Sequence, residues 1–169
     1  RYPKFRVLAE SSGNSKGLLE ATAEFQRIFP HHVWGKHRIE VYGDATGYAG
    51  SHKTPLCDYS QIEKYMRESN RYTNVNVLAK RDNPDVRPRL ERVNALFAYE
   101  MIEIEASCSR LRAGLSRTSL KEGTWDIVKP TRDTWTHYPD ALGYGLYALS
   151  ENFELELPDD YRSYGLNIR

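Results

Sequence analysis

Three carboxylates stand where an α/β chain gathers its chemistry. Asp44 closes an alternating apolar segment, His37-Arg-Ile-Glu-Val-Tyr-Gly-Asp44, and opens a Gly-rich turn, Gly43-Asp-Ala-Thr-Gly47. Glu105 ends a second alternating segment, Met101-Ile-Glu-Ile-Glu105. Asp140 follows Pro139 at the start of a segment with helical periodicity. In open α/β sheets, functional groups collect outside the carboxyl ends of the strands. Carboxylates that converge there can hold two divalent ions about 3.5–4 Å apart and cleave a phosphodiester. All-oxygen donors suit Mg²⁺ or Mn²⁺ rather than zinc. Each acid also has a plainer role. Asp44 can form a turn, Glu105 can be a solvated strand end, and Asp140 can face a helix dipole.

Other chemistries find less support. The Gly-rich turn lacks the Gly-Lys-Ser/Thr ending of a phosphate-binding loop, and it is not G-x-G-x-x-G. Five His residues include the pair His31-His32, but no Cys/His spacing matches a zinc site. Two Cys, at 57 and 108, give neither a disulfide framework nor a metal motif, and they read as thiols of a reducing compartment.

The elements that must position these acids can be read from periodicity. Residues 1–19 read as a linker or an irregular approach, and Leu18 to Phe29 as a short helix stopped by Pro30. The first strand is the run from His37 to Asp44. Asp58 and Gln61 have capping-box spacing, which predicts a helix over 59–69. Tyr72 to Ala79 alternates as a strand. Val86, Leu90, Val93 and Phe97 make one apolar stripe over 85–97, with Arg87, Arg89 and Arg92 off it. A strand over 101–105, a short helix over 107–116, two extended pieces near 118–121 and 125–128, and a helix over 139–149 complete the order. Strands alternating with helices predict an α/β fold with a central sheet. The expected organisation is an approach over 1–36, a core over 37–150 and a tail over 151–169.

The ordered motifs resemble the nuclease domain of the large terminase subunit of tailed bacteriophages, an RNase H-like fold. The matching pieces are Ile39-Glu-Val-Tyr-Gly-Asp-Ala-Thr-Gly47, Asp58-Tyr59, Asn83-Pro-Asp-Val86, Arg89 to Leu96, Ile102-Glu-Ile-Glu-Ala-Ser-Cys108 and Thr136-His-Tyr-Pro-Asp-Ala-Leu-Gly-Tyr144. They follow the family's order over about residues 40–145. The resemblance implies a central mixed sheet flanked by helices and a two-ion Mg²⁺ or Mn²⁺ endonuclease that cuts concatemeric DNA. It makes Asp44, Glu105 and Asp140 the metal ligands, with Glu103 as an alternative to Glu105 and His137 near the ions. The Pro that commonly follows the middle acid is Ala106 here, which loosens that assignment. The implied partners are double-stranded DNA, a packaging ATPase domain, a portal and a small terminase subunit, in the cytoplasm of a bacterial host. Another RNase H-like nuclease, such as a resolvase or exonuclease, and a docking domain that has lost cleavage are the competing readings.

Composition sets limits on these readings. The chain has 169 residues, 40% hydrophobic and 28% charged, which suffices for a core. No apolar run approaches the roughly 20 residues of a membrane helix. Arg1 stands where an initiator Met would be, and no signal pattern follows, so the chain reads as a cut-out domain or a processed product. Lys plus Arg is 24 and Asp plus Glu is 23, a net charge of +1, which excludes a polycation that coats DNA by charge alone. Cations cluster locally at Arg110, Arg112, Arg117 and Lys121, extended by Lys129 and Arg132, and this is the expected DNA-contacting surface. The tail from 151 concentrates acids, so the body is more basic than the total. Weak DNA affinity is expected for this chain alone.

Overall fold

A computed structural model describes residues 5–11, 17–50, 56–68, 71–128 and 135–151. Among the described residues the chain is mixed α/β, with six helices and small parallel sheets. It divides into two units, one formed by residues 11–83 and the other by residues 1–10 with 84–169.

In the unit of residues 11–83, β-branched side chains at alternate positions make two short strands, β2 (Ile39–Val41) and β3 (Val75–Val77). They pair in parallel with Ile39 opposite Val75 and Val41 opposite Val77. Parallel pairing needs a crossover, and the connection between the strands contains α3 (Asp58–Arg67). Helix α1 (Leu18–Ile28) ends before Pro30, and Pro30 in turn caps the one-turn α2 (His31–Trp34). Met66, Tyr72 and Val75 are the buried centre, with Phe25, Trp34, Ile39, Val41 and Ile62 packed around them. Tyr72 is fully buried, and its hydroxyl donates to the carbonyl of Phe29, so a polar tip inside this core is satisfied. The capping register differs from expectation. Cys57, not Asp58, is the N-cap of α3, and Asp58 is the first helical residue. Gln61 Nε2 donates to the carbonyl of Leu56 instead of closing a box.

In the other unit, β1 (Phe5–Val7) pairs in parallel with β4 (Ile102–Ile104). The linker expected over 1–19 therefore contains a strand. Its ladder is extended by Phe5 N donating to Met101 O and Glu105 N to Val7 O. Where the alternation predicted one central sheet, the described strands form two separate two-stranded sheets. Helix α4 (Val86–Ala98) packs Val93 and Leu96 against Met101 and against Leu146 of α6 (His137–Glu151). Just past α4, Glu100 is a non-glycine residue in the left-handed region at φ 52°. That conformation turns the chain so that Met101 N bonds Leu96 O at 2.9 Å and β4 can begin.

Helix α5 (Ser109–Arg117) starts with both Glu10 carboxylate oxygens accepting from its first turn, Oε1 from Arg110 N at 2.9 Å and Oε2 from Leu111 N at 2.8 Å. These bonds satisfy two of the amides a helix start leaves open. The two extended pieces form a hairpin, with Lys121 N on Asp126 O and Val128 N on Ser119 O. Gly123, at φ 70°, takes the left-handed position of its turn. Among the described residues, no helix is long and apolar enough to cross a membrane.

Candidate acidic site

Asp44 lies three residues beyond β2 and caps the 3₁₀ turn over Ala45–Tyr48. Its Oδ1 accepts from Thr46 N at 2.8 Å and from the Thr46 hydroxyl. Its backbone is held as well. Tyr59 OH donates to the Asp44 carbonyl at 2.6 Å, and Ala45 N donates to Asn83 Oδ1 at 2.7 Å. The two glycines of the turn are required by Tyr59. A Cβ at Gly43 would lie 2.4 Å from its hydroxyl oxygen, and one at Gly47 would lie 2.5 Å from its ring. Tyr48 packs edge-on against the Tyr59 ring, donates from its hydroxyl to Ala79 O at 2.7 Å, and lies under the Arg81 guanidinium. Three segments distant in sequence, 43–48, Asp58-Tyr59 and Asn83, thus meet at the backbone of the Asp44 turn.

Glu105 follows β4 directly, and its Oε1 pairs with Arg6 of β1. Glu103, inside β4, is exposed and stands opposite Arg6 in the ladder.

Asp140 lies in the first turn of α6 and is held by Arg89 of α4. Arg89 Nη1 and Nη2 donate to Asp140 Oδ1 at 3.0 and 3.1 Å, and Nη1 also donates to the Asp140 carbonyl at 3.2 Å. The guanidinium stacks 4.3 Å from the Tyr144 ring centroid. Gly143 leaves it room, since a Cβ there would lie 3.0 Å from Nη1. The periodicity of α4 sets Arg89 off the apolar stripe. It is instead buried on the face it shares with Val93 and Leu96, because Asp140 and Tyr144 supply a counter-charge and a π-face inside that face.

The start of α6 is also braced from α5. Gly114 abuts the Trp135 carbonyl and the Pro139 ring, and a Cβ there would lie within 2.6 Å of that carbonyl oxygen. Arg117 stacks 3.8 Å over the Trp135 ring centroid, and Arg110 Nη1 donates to Tyr138 OH at 3.1 Å. Two of the expected DNA-contacting cations therefore also brace the α6 start. Arg112 is exposed, Lys121 pairs with Asp126 at 3.4 Å, and Lys129 and Arg132 lie outside the described residues. His137, the first residue of α6, is exposed.

Compared with protein-family models, curated proteins and solved structures, the chain matches none.

The three acids share one local arrangement. In each, one carboxylate oxygen is anchored, by Thr46, Arg6 or Arg89, and among the described residues the other accepts no hydrogen bond. An anchored carboxylate with one open oxygen suits a hard divalent cation, whose ligands are usually oriented by such outer bonds. Asp44 belongs to one unit, and Glu105 and Asp140 belong to the other. Among the described residues, no three His, Cys, Asp or Glu side chains are grouped so as to hold an ion. The residue that sequence reasoning missed is Arg89. Its only signal is an arginine four positions before Val93, on the buried rather than the solvated face.

Proposed function

We propose that this chain is a metal-dependent DNA endonuclease domain of the terminase type, with an RNase H-like fold. One observation carries the reading. The segments that resemble that family meet around its candidate acids: Tyr59 and Asn83 hold the backbone of the 43–48 turn that carries Asp44, and Arg89, stacked on Tyr144, pairs with Asp140. The element types agree with it, since Asp44 and Glu105 each follow a parallel strand and Asp140 lies in a helix's first turn.

On this reading Asp44, Glu105 and Asp140 are the candidate ligands of Mg²⁺ or Mn²⁺, each with one open oxygen. The chemistry two such ions supply is activation of a water and neutralisation of the phosphate. The chain's own residues orient the ligands. Thr46 and Tyr59 fix the Asp44 turn, Arg6 fixes Glu105, and Arg89 fixes Asp140. Arg112 is one of three exposed cations of α5, with Arg110 and Arg117, and is offered to a phosphate backbone, whose contacts carry no sequence information. Double-stranded DNA is then the substrate. A packaging ATPase domain, a portal and a small terminase subunit are the partners in a bacterial cytoplasm.

A second reading, a docking domain without cleavage, is favoured by the local engagement of every candidate acid and by the absence of a three-ligand group among the described residues. Incubation of supercoiled plasmid with the chain in Mn²⁺ separates the two. Nicking that a chelator abolishes supports the nuclease, and intact plasmid over a range of Mn²⁺ supports the docking domain.

A further inference from the structure

Helix α5 carries three exposed arginines, Arg110, Arg112 and Arg117, and no acid. Among the described residues Arg117 has no acidic partner. It lies instead over the half-buried Trp135, with its guanidinium carbon 3.8 Å from the ring centroid. Arg110 stands about two turns earlier on the same side of the helix, roughly 10 Å along the axis, and its Nη1 donates to Tyr138 OH at 3.1 Å. Between the two, Gly114 is buried against the start of α6. A Cβ there would lie 2.6 Å from the Trp135 carbonyl oxygen and 2.9 Å from the Pro139 ring. The close approach fixes both arginine–aromatic positions on one rigid seam, so little ordering is left to a ligand.

A guanidinium plane has two faces. Trp135 covers one face of Arg117, and the exposure of this residue leaves the other to solvent. Such a face attracts a flat π-system. Bases within a duplex are stacked on one another and present edges and phosphates, whereas an unpaired nucleotide offers a base face together with a phosphate.

We propose that the seam between α5 and α6 binds single-stranded nucleic acid. An unpaired base stacks on the outer face of Arg117, backed by Trp135, and Arg110, oriented by Tyr138, meets a phosphate of the same strand. This goes beyond the nuclease reading, whose substrate is duplex DNA, and it needs no metal.

The test measures fluorescence anisotropy of labelled oligothymidine, oligouridine and a thymidine–adenosine duplex, each of about twenty nucleotides, which spans the site of one small binding fold. The full chain is used throughout, in chelator, so that failure of the nuclease reading leaves the result untouched. Wild type is expected to bind the single strands more tightly than the duplex, and the two strands separate DNA from RNA as the source. Arg117→Lys keeps the charge but loses the plane. It should weaken strand binding by about 5–150-fold, the effect of losing one stacked base, while the salt slope and duplex binding stay as they are. Trp135→Leu should do the same, and if it does not fold, Arg117→Lys alone carries the test. Strand affinity that Arg117→Lys leaves unchanged, or wild type that binds duplex as tightly as single strand, makes the seam a plain electrostatic surface and overturns the proposal. Wild type that binds no single strand overturns it as well.

Discussion

Removing Asp140 should expose how strongly the two helices of its unit depend on one ion pair. Asp140→Ala leaves the Arg89 guanidinium buried, with its Nε already unpartnered among the described residues and the Tyr144 ring beside it. Breaking a buried pair by removing one partner costs about 3–5 kcal/mol. The lower end applies here, because the 18% exposure of Asp140 admits water to its side of the pair. A loss of about 3 kcal/mol corresponds to a fall in Tm of about 6–12 °C for a chain of this length. Arg89→Met costs less, since the carboxylate left behind is the more exposed partner. The double variant Arg89→Met/Asp140→Leu removes both charges and should recover part of the loss, with a coupling energy of about 2 kcal/mol. Urea unfolding followed by tryptophan fluorescence reads this cycle, since Trp125 and Trp135 both lie in that unit. A coupling energy below about 0.5 kcal/mol would refute the buried pair as the tie between α4 and α6.

Four further outcomes follow from the geometry. Gly47→Ala forces a Cβ into the Tyr59 ring and should destabilise the chain by about 1–3 kcal/mol in urea unfolding, and Tyr59→Leu in the same background should relieve it. Burial first, and then the hydrogen bond to Glu40, push the Tyr42 hydroxyl up to about 12. Its folded-state value is raised, so its contribution to stability is complete below about 10 and is lost as pH rises towards about 12. Ultraviolet titration of wild type against Tyr42→Phe checks this, and Glu40→Gln should bring the midpoint down. The Ser60 hydroxyl and amide beside Cys57 lower its thiol, whereas burial raises that of Cys108. Alkylation should therefore label Cys57 first and at lower pH, and equal rates would contradict that ordering. On the nuclease reading proposed above, paired neutralisation of Arg112 and Lys121 should weaken DNA binding and reduce its salt slope, by about one for each phosphate no longer neutralised.

The sequence pattern makes the helices legible more readily than their faces. Helix α4 follows from its period, but the stripe of Val86, Leu90, Val93 and Phe97 selects a face rotated from the buried one. The buried face includes Arg89, whose partner Asp140 is 51 residues away and leaves no local trace. Strand β1 is hidden because the three residues Phe5-Arg6-Val7 are too few to establish a period, and its partner, β4, lies far along the chain. The α3 cap falls one residue earlier than the Asp-to-Gln spacing suggests. That spacing fits a capping box, while the backbone places Cys57 outside the helix and Asp58 within it. The acids themselves are legible as strand ends and a helix start. The groups that hold them are not, since Arg6 and Arg89 reach Glu105 and Asp140, and Tyr59 and Asn83 reach the backbone of the Asp44 turn, only through tertiary structure.

The measurement that bears most directly on the nuclease reading is a crystal structure of the full chain soaked in Mn²⁺, with the ions located by anomalous scattering. The reading predicts manganese bound to the open oxygens of Asp44, Glu105 and Asp140, with Arg89 still on Oδ1. Manganese bound only to other residues, or none bound at all, would contradict it.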